Sequence, residues 1–198
     1  MSRTKVLAMS LGFAMFWALL MPMALADEWN QATKMTFNES VEVPGKVLPA
    51  GTYWFKLLND DTDRNIVQVW NSDRAQLLTT ILTVPDHRLK ATGKTVVKFE
   101  ERPITQPEAL EAWFYPGDNY GHEFVYPEAR AKELAKRVGR PVLSMRDDVA
   151  TNMSKPAKSA KDASVVAMKH AHVMATTPKG EETEVAKDAK GGNQSTAR

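Results

Sequence analysis

Between Thr33 and Phe124 the chain alternates short apolar runs with turn-forming residues, the pattern of strands that reverse direction every few residues. Lys34 to Phe37 opens the series, and Ser40 to Val43 extends it as far as Pro44-Gly45. Leu48-Pro49-Ala50-Gly51 reads as a turn, with Gly51 free to take a positive φ. Thr52 to Leu58 has the strongest alternation: Tyr53, Phe55 and Leu57 fall on one face, Trp54, Lys56 and Leu58 on the other. The polar run Asn59-Asp60-Asp61-Thr62-Asp63 turns the chain and Ile66 to Trp70 returns it, so Thr52–Trp70 is predicted as a hairpin.

Further strands are predicted over Gln76 to Val84, closed by Pro85-Asp86, over Thr95 to Glu101, over Ala109 to Tyr115 and over His122 to Val125. About seven or eight short strands at this spacing predict an all-β fold, an antiparallel β-sandwich or small barrel. Then the period changes. Ala129, Ala131, Leu134, Ala135 and Val138 form an apolar stripe, with Pro127 suited to the helix start and Gly139 to its stop, so a short helix is expected at about 127–138. Val142, Leu143 and Met145 can pack back on the sandwich, and the domain is expected to span 27–145.

Composition sets the limits on either side. From Asp147 to Arg198 there is no Trp, Tyr or Phe, and the stretch is mostly Ala, Lys, Thr, Ser, Asp and Glu. Such a chain buries too little apolar surface to offset the entropy of ordering it, so 146–198 is expected to be a disordered tail. The exception is Val165-Val166-Ala167-Met168, an apolar island able to form a transient helix. At the other end, Arg3 and Lys5 precede an uncharged run from Val6 to Ala26, which ends in Ala24-Leu25-Ala26. A cationic start, an apolar core and a small-residue site are the parts of a secretion signal, predicted at 1–26 and cleaved before Asp27. The export reading places the chain in the periplasm or outside the cell, with no stable membrane anchor once the signal is gone. There is no cysteine, hence no lipid-modified Cys and no disulfide.

Charge then narrows the partners. Losing Arg3 and Lys5 with the signal leaves 24 basic residues against 24 acidic ones, with no basic cluster of the kind a nucleic acid requires. From Asp147 on there are eight basic and seven acidic residues, a mixed charge and not a polycation, and the Ala-Lys repetition there has no fixed period, which excludes a solenoid.

Three stretches carry a resemblance: Val43-Pro44-Gly45-Lys46-Val47-Leu48-Pro49-Ala50-Gly51-Thr52-Tyr53, Phe99-Glu100-Glu101-Arg102-Pro103, and Trp113-Phe114-Tyr115-Pro116-Gly117-Asp118-Asn119 through Tyr126-Pro127. Over about 27–145 the chain resembles a family of uncharacterised secreted bacterial proteins. The resemblance implies an exported domain and brings no catalytic residue or cofactor with it.

The densest polar and aromatic segment is Trp113 to Tyr126. Trp113, Tyr115, Asp118, Asn119, Tyr120 and His122 are the candidate ligand-binding residues, since aromatic faces beside amides and carboxylates suit sugars or extended peptides, and loops on a rigid sandwich are common sites. Turn chemistry around Pro116-Gly117 and an aromatic core account for the same residues without a ligand. As acid–base pairs, His122 with Glu123 and His87 with Asp86 fail on strand geometry, because adjacent residues face opposite ways. No nucleophile elbow, zinc-helix motif or phosphate loop is present, so no catalytic residue is assigned. His170 and His172 flank Ala171, short of the four ligands of a structural zinc site. Asp60, Asp61 and Asp63 lack the glycine and distal glutamate of a calcium loop. No metal or cofactor is expected. The reading is a secreted, non-catalytic binding or interaction module, its partner open between an envelope protein and a polysaccharide. The alternatives are a structural envelope protein and a hydrolase acting on envelope sugars or peptides around Trp113–Glu123.

Overall fold

The computed structural model describes residues 32–58, 65–100, 106–151 and 155–185. The expected signal at 1–26, the turn at 59–63, residues 101–103 of the second resembling stretch and the last residues, 186–198, lie outside the described residues.

The chain is mostly β, as the alternation requires. Nine strands make one large sheet: β1 (Ala32–Phe37), β2 (Val41–Val43), β3 (Lys46–Leu48), β4 (Gly51–Leu57), β5 (Ile66–Asn71), β6 (Leu77–His87), β7 (Val96–Glu100), β8 (Glu108–Phe114) and β9 (Tyr120–Phe124). Their order is β1-β4-β5-β6-β9-β8-β2-β3, with β7 on the other flank of β8. Pairing is antiparallel except between β2 and β8, which run parallel. The predicted hairpin is β4–β5, in register from Tyr53 opposite Asn71 to Leu57 opposite Val67. Its faces are those of the alternation: Tyr53, Phe55 and Leu57 are buried, Trp54 and Lys56 half-exposed.

The sheet becomes two facing halves through β6. Residues Leu77 to Leu82 pair with β5, whereas Thr83 to His87 pair with β9. The sequence predicts an end to this strand at Pro85, yet the strand runs on to His87. Pro85 lies past Leu82, the last residue opposite β5, so one flank has no strand to receive an N–H, and a ladder tolerates proline there. Folded over at β6, β4 faces β8 and β9. The Phe55 ring lies 6.3 Å from both Trp113 and Phe124, each edge to face, and Phe37 meets Phe99 at 6.3 Å.

A smaller sheet follows. β10 (Tyr126–Pro127) runs parallel to β11 (Val142–Met145), and the crossover between them is α1 (Glu128–Val138). Pro127 stands one residue before the helix, as its N-cap, and Gly139 stops it at φ 72° with its N–H on the Ala135 carbonyl. The buried stripe is Ala131, Leu134 and Ala135. Arg130 leaves this helix to clasp Glu42 on β2, Nε on Oε1 and Nη2 on Oε2, both at 2.7 Å. The Tyr126 hydroxyl donates to the Leu110 carbonyl at 2.8 Å, tying the small sheet to the large one.

Described elements lie past the boundary expected at Met145. Past it come α2 (Asp147–Ala150), α3 (Ala163–Lys169), β12 (Met174–Thr176) and β13 (Glu182–Glu184), and β12 adds antiparallel to β11. The apolar island is α3, started by Asp162, whose carboxylate accepts from the Ser164 N–H. Val165 and Met168 are fully buried, and Ala157, Ala171 and Val173 join the same core. Averaged composition hides these positions, because a few apolar side chains at the right spacing bury as well as aromatics do. The described elements continue to Val185.

Candidate ligand-binding groove

The loop singled out in the sequence is the β8–β9 hairpin, and the structure divides its candidates. Trp113 and His122 are cross-strand partners facing the core, 0% and 1% exposed, with ring centroids 5.7 Å apart. Thr83 Oγ1 lies 3.3 Å from His122 Nδ1. Neither ring is available to a ligand. Tyr120, half-exposed, packs edge to face between His87 and His122, each at 5.4 Å. Tyr115 is half-buried against the core, and its carbonyl accepts the Asp118 N–H to close the Pro116-Gly117 turn. Asp118 contributes its carbonyl, held by Arg88 Nε and Nη2 at 3.0 and 2.6 Å. The exposed Asn119 likewise offers its carbonyl to the Arg88 N–H. Gly121 makes room for a neighbour: a Cβ there would stand 2.4 Å from the Phe114 ring, which covers it. The six candidates therefore do not converge on one surface.

Strand alternation sends Glu123 to the outer face, away from His122. There it joins Asp86, Glu100 and Glu111. Arg140 Nη2 bridges Glu100 and Glu111 at 2.7 and 2.6 Å, and Lys98 pairs with Asp86 at 3.1 Å. Burial, reinforced by the charges of Asp86, Glu111 and Glu100 and opposed by Arg140, pushes the Glu123 carboxyl up to about 7. A carboxyl raised on folding takes up protons between its unfolded value, near 4.5, and about 7. Stability should therefore fall as pH rises through that window, by roughly 2–3 kcal/mol. Urea denaturation at pH 5 and pH 7.5 measures it, and Glu123→Gln should flatten the slope.

Another pair of half-exposed aromatics lies on the outer face of the first half-sheet. Trp54 and Trp70 stand directly opposite each other on β4 and β5. With Ala32, Lys56 and Arg74 they line a groove of about 210 Å³. Lys34, opposite Trp54 on β1, adds an exposed ammonium at its side. Each indole N–H is taken internally: Trp54 Nε1 donates to the Ser72 carbonyl at 3.1 Å, Trp70 Nε1 to Gln68 Oε1 at 3.3 Å. What the rings present outward is carbon.

Arg74 completes the groove by an uncommon backbone. The β5–β6 turn is pinned by Gln76 N–H on Asn71 Oδ1, Ala75 N–H on Asp73 Oδ1 and Arg74 N–H on the Asn71 carbonyl. Within it Arg74 sits at φ 60°, among the described residues the one non-glycine with positive φ. That conformation costs an ordinary side chain about 1–2 kcal/mol. The result is a guanidinium 3.5 Å from the Trp54 ring centroid. Among the described residues no carboxylate pairs with Arg74, Lys56 or Lys34.

Gln68 extends the groove to the C-terminal segment. It is 4% exposed; its Oε1 holds Trp70, and its Nε2 donates to the Ala157 carbonyl at 2.8 Å. Thr80 Oγ1 accepts the Ala157 N–H at 3.0 Å. One part of the outer face is thus covered by the chain itself, and the tryptophan part is open.

Two other depressions offer less. One of about 390 Å³ beside Val47 and Pro127 has its main charges, Glu42 and Arg130, already paired and no aromatic wall. One of about 120 Å³ contains His170 and His172, the latter paired with Glu184 at 2.8 Å. Among the described residues no three His, Cys, Asp or Glu side chains group as metal ligands, and no helix is long and apolar enough to cross a membrane.

Sequence reasoning assigned Trp54 to the face opposite Phe55 and gave it no role. The signal was there: a hairpin that places one tryptophan opposite another on its outward face. No family model, curated protein or solved structure matches the chain. Its function is therefore argued from the groove.

Proposed function

We propose that this chain is an exported, non-catalytic binding module whose ligand surface is the Trp54–Trp70 groove. One observation carries the reading: two indoles paired across strands, facing outward, with a strained arginine held over one of them. Half-exposed aromatic anchors beside a guanidinium are the composition of binding hot spots. Among the described residues positive φ outside glycine falls at Arg74, which walls the groove, and such strain is the kind kept at functional sites. Export rests on the expected signal at 1–26. A hydrolytic role at the β8–β9 hairpin draws no support from His122, which is enclosed in the core.

The test is capture. Immobilised full-length mature chain should retain material from a cell-envelope extract, and the Trp54→Ala/Trp70→Ala double variant should lose at least nine-tenths of it. Both rings are half-exposed, so the double variant should keep its melting transition. Equal retention by the two proteins would remove the groove from the binding account.

A further inference from the structure

We infer that the groove takes an anionic saccharide chain, of the uronic-acid class, laid along the Trp54 and Trp70 rings with its carboxylates on Arg74 and Lys56; this rests on the binding reading above. Both indole N–H groups are already satisfied within the protein, so the rings contribute only apolar surface. Among the described residues, the ionic side chains that line the groove are cationic and none is a carboxylate. A matching ligand must bring a flat apolar face and negative charge, with acceptors at its rim.

A pyranose ring carrying a carboxylate meets each condition. Its C–H face lies on an indole while the polar rim turns outward, an arrangement an amphipathic aromatic favours. The Arg74 guanidinium carbon lies 3.5 Å from the Trp54 ring centroid, and its planar fork of N–H donors suits bidentate contact with a carboxylate. Lys56, and Lys34 across from Trp54, supply point charges further along the same face. Trp54 and Trp70 are cross-strand neighbours, so both indoles line the same groove, within reach of neighbouring sugars of one chain. An acidic peptide shares the charge. It lacks the flat C–H face that a pyranose lays on an indole.

Polygalacturonate oligomers, the same oligomers methyl-esterified, and polyglutamate serve as the three probes. Each is titrated into the full-length mature protein at low salt while tryptophan fluorescence is followed. The expected result is saturable quenching by polygalacturonate and at least tenfold weaker binding of the esterified form, which keeps the sugar face and loses the charge. Binding should weaken three- to tenfold in Lys56→Gln and in Arg74→Asn, the latter because asparagine accepts the same backbone without the charge. It should also weaken as salt rises.

Three results would overturn the inference. Equal binding of the esterified oligomer would remove the anionic requirement. Polyglutamate binding as tightly as the uronate would favour a peptide. Absence of polygalacturonate binding would end the proposal outright. In each of these the groove reading is judged separately, by whether retention from envelope extract still depends on Trp54 and Trp70.

Discussion

Truncation after Met145 is expected to leave a domain that no longer folds cooperatively, although composition alone would choose that boundary. The segment from 155 to 185 places Val165, Met168 and Val173 in the core. Burying side chains of this kind contributes about 1.5–3 kcal/mol each, and a whole domain has only about 5–15 kcal/mol to lose. Conformational entropy of the segment offsets part of the gain. The truncated domain also inherits bare groups. β11 loses its antiparallel partner, Gln68 Nε2 loses the Ala157 carbonyl, and Thr80 Oγ1 loses the Ala157 N–H. A buried donor or acceptor without a partner costs about 1–3 kcal/mol. Thermal denaturation followed by near-ultraviolet circular dichroism separates the cases. A chain ending at Val185 should melt as the full-length protein does, and one ending at Met145 should melt at least 10 °C lower or not cooperatively. Superimposable melts would show the segment to be dispensable.

Arg130→Ala is expected to destabilise the fold by about 3 kcal/mol, the cost of stranding a buried partner charge. Glu42 is 8% exposed on β2, and both its carboxylate oxygens receive hydrogen bonds from the guanidinium. The hydrogen bond to Glu42 is also the main cause that raises the Arg130 pKa. Glu133 on the same helix completes the cluster. Removing the arginine leaves the Glu42 carboxylate in a site with little water. Lysine can restore one contact and not the fork, so Arg130→Lys should fall between. Adding Glu42→Gln to Arg130→Ala should recover part of the loss, because it removes the charge that was stranded. Urea denaturation of the four proteins provides the measurement; a double variant no more stable than Arg130→Ala would mean that packing, not charge, sets the cost.

Fold class was legible in the sequence because alternation is a local property. Tyr53, Phe55 and Leu57 need only their own spacing to declare a face, and Gly139 needs only its place after a helical stripe. The corner at β6 was not legible, since it depends on which strands reach each flank of Thr83, and those come from positions 18 residues back and about 40 ahead. The elements past Met145 were not legible for a related reason: they are tied in through Gln68, Thr80 and β11, none of them nearby in sequence. At the site the error had a different source. Trp113 and His122 sit in the segment richest in functional residue types, yet their strand faces inward; Trp54 and Trp70 look ordinary until the hairpin register pairs them.

The left-handed turn at Arg74 has a consequence for variation. Glycine would adopt that backbone without penalty and should raise stability by about 1 kcal/mol, while giving up the charge held above the Trp54 ring. Stability and recognition are thus set against each other at a single codon. In a library screened for thermal resistance alone, position 74 should drift toward glycine or asparagine; in one screened for ligand retention it should hold arginine.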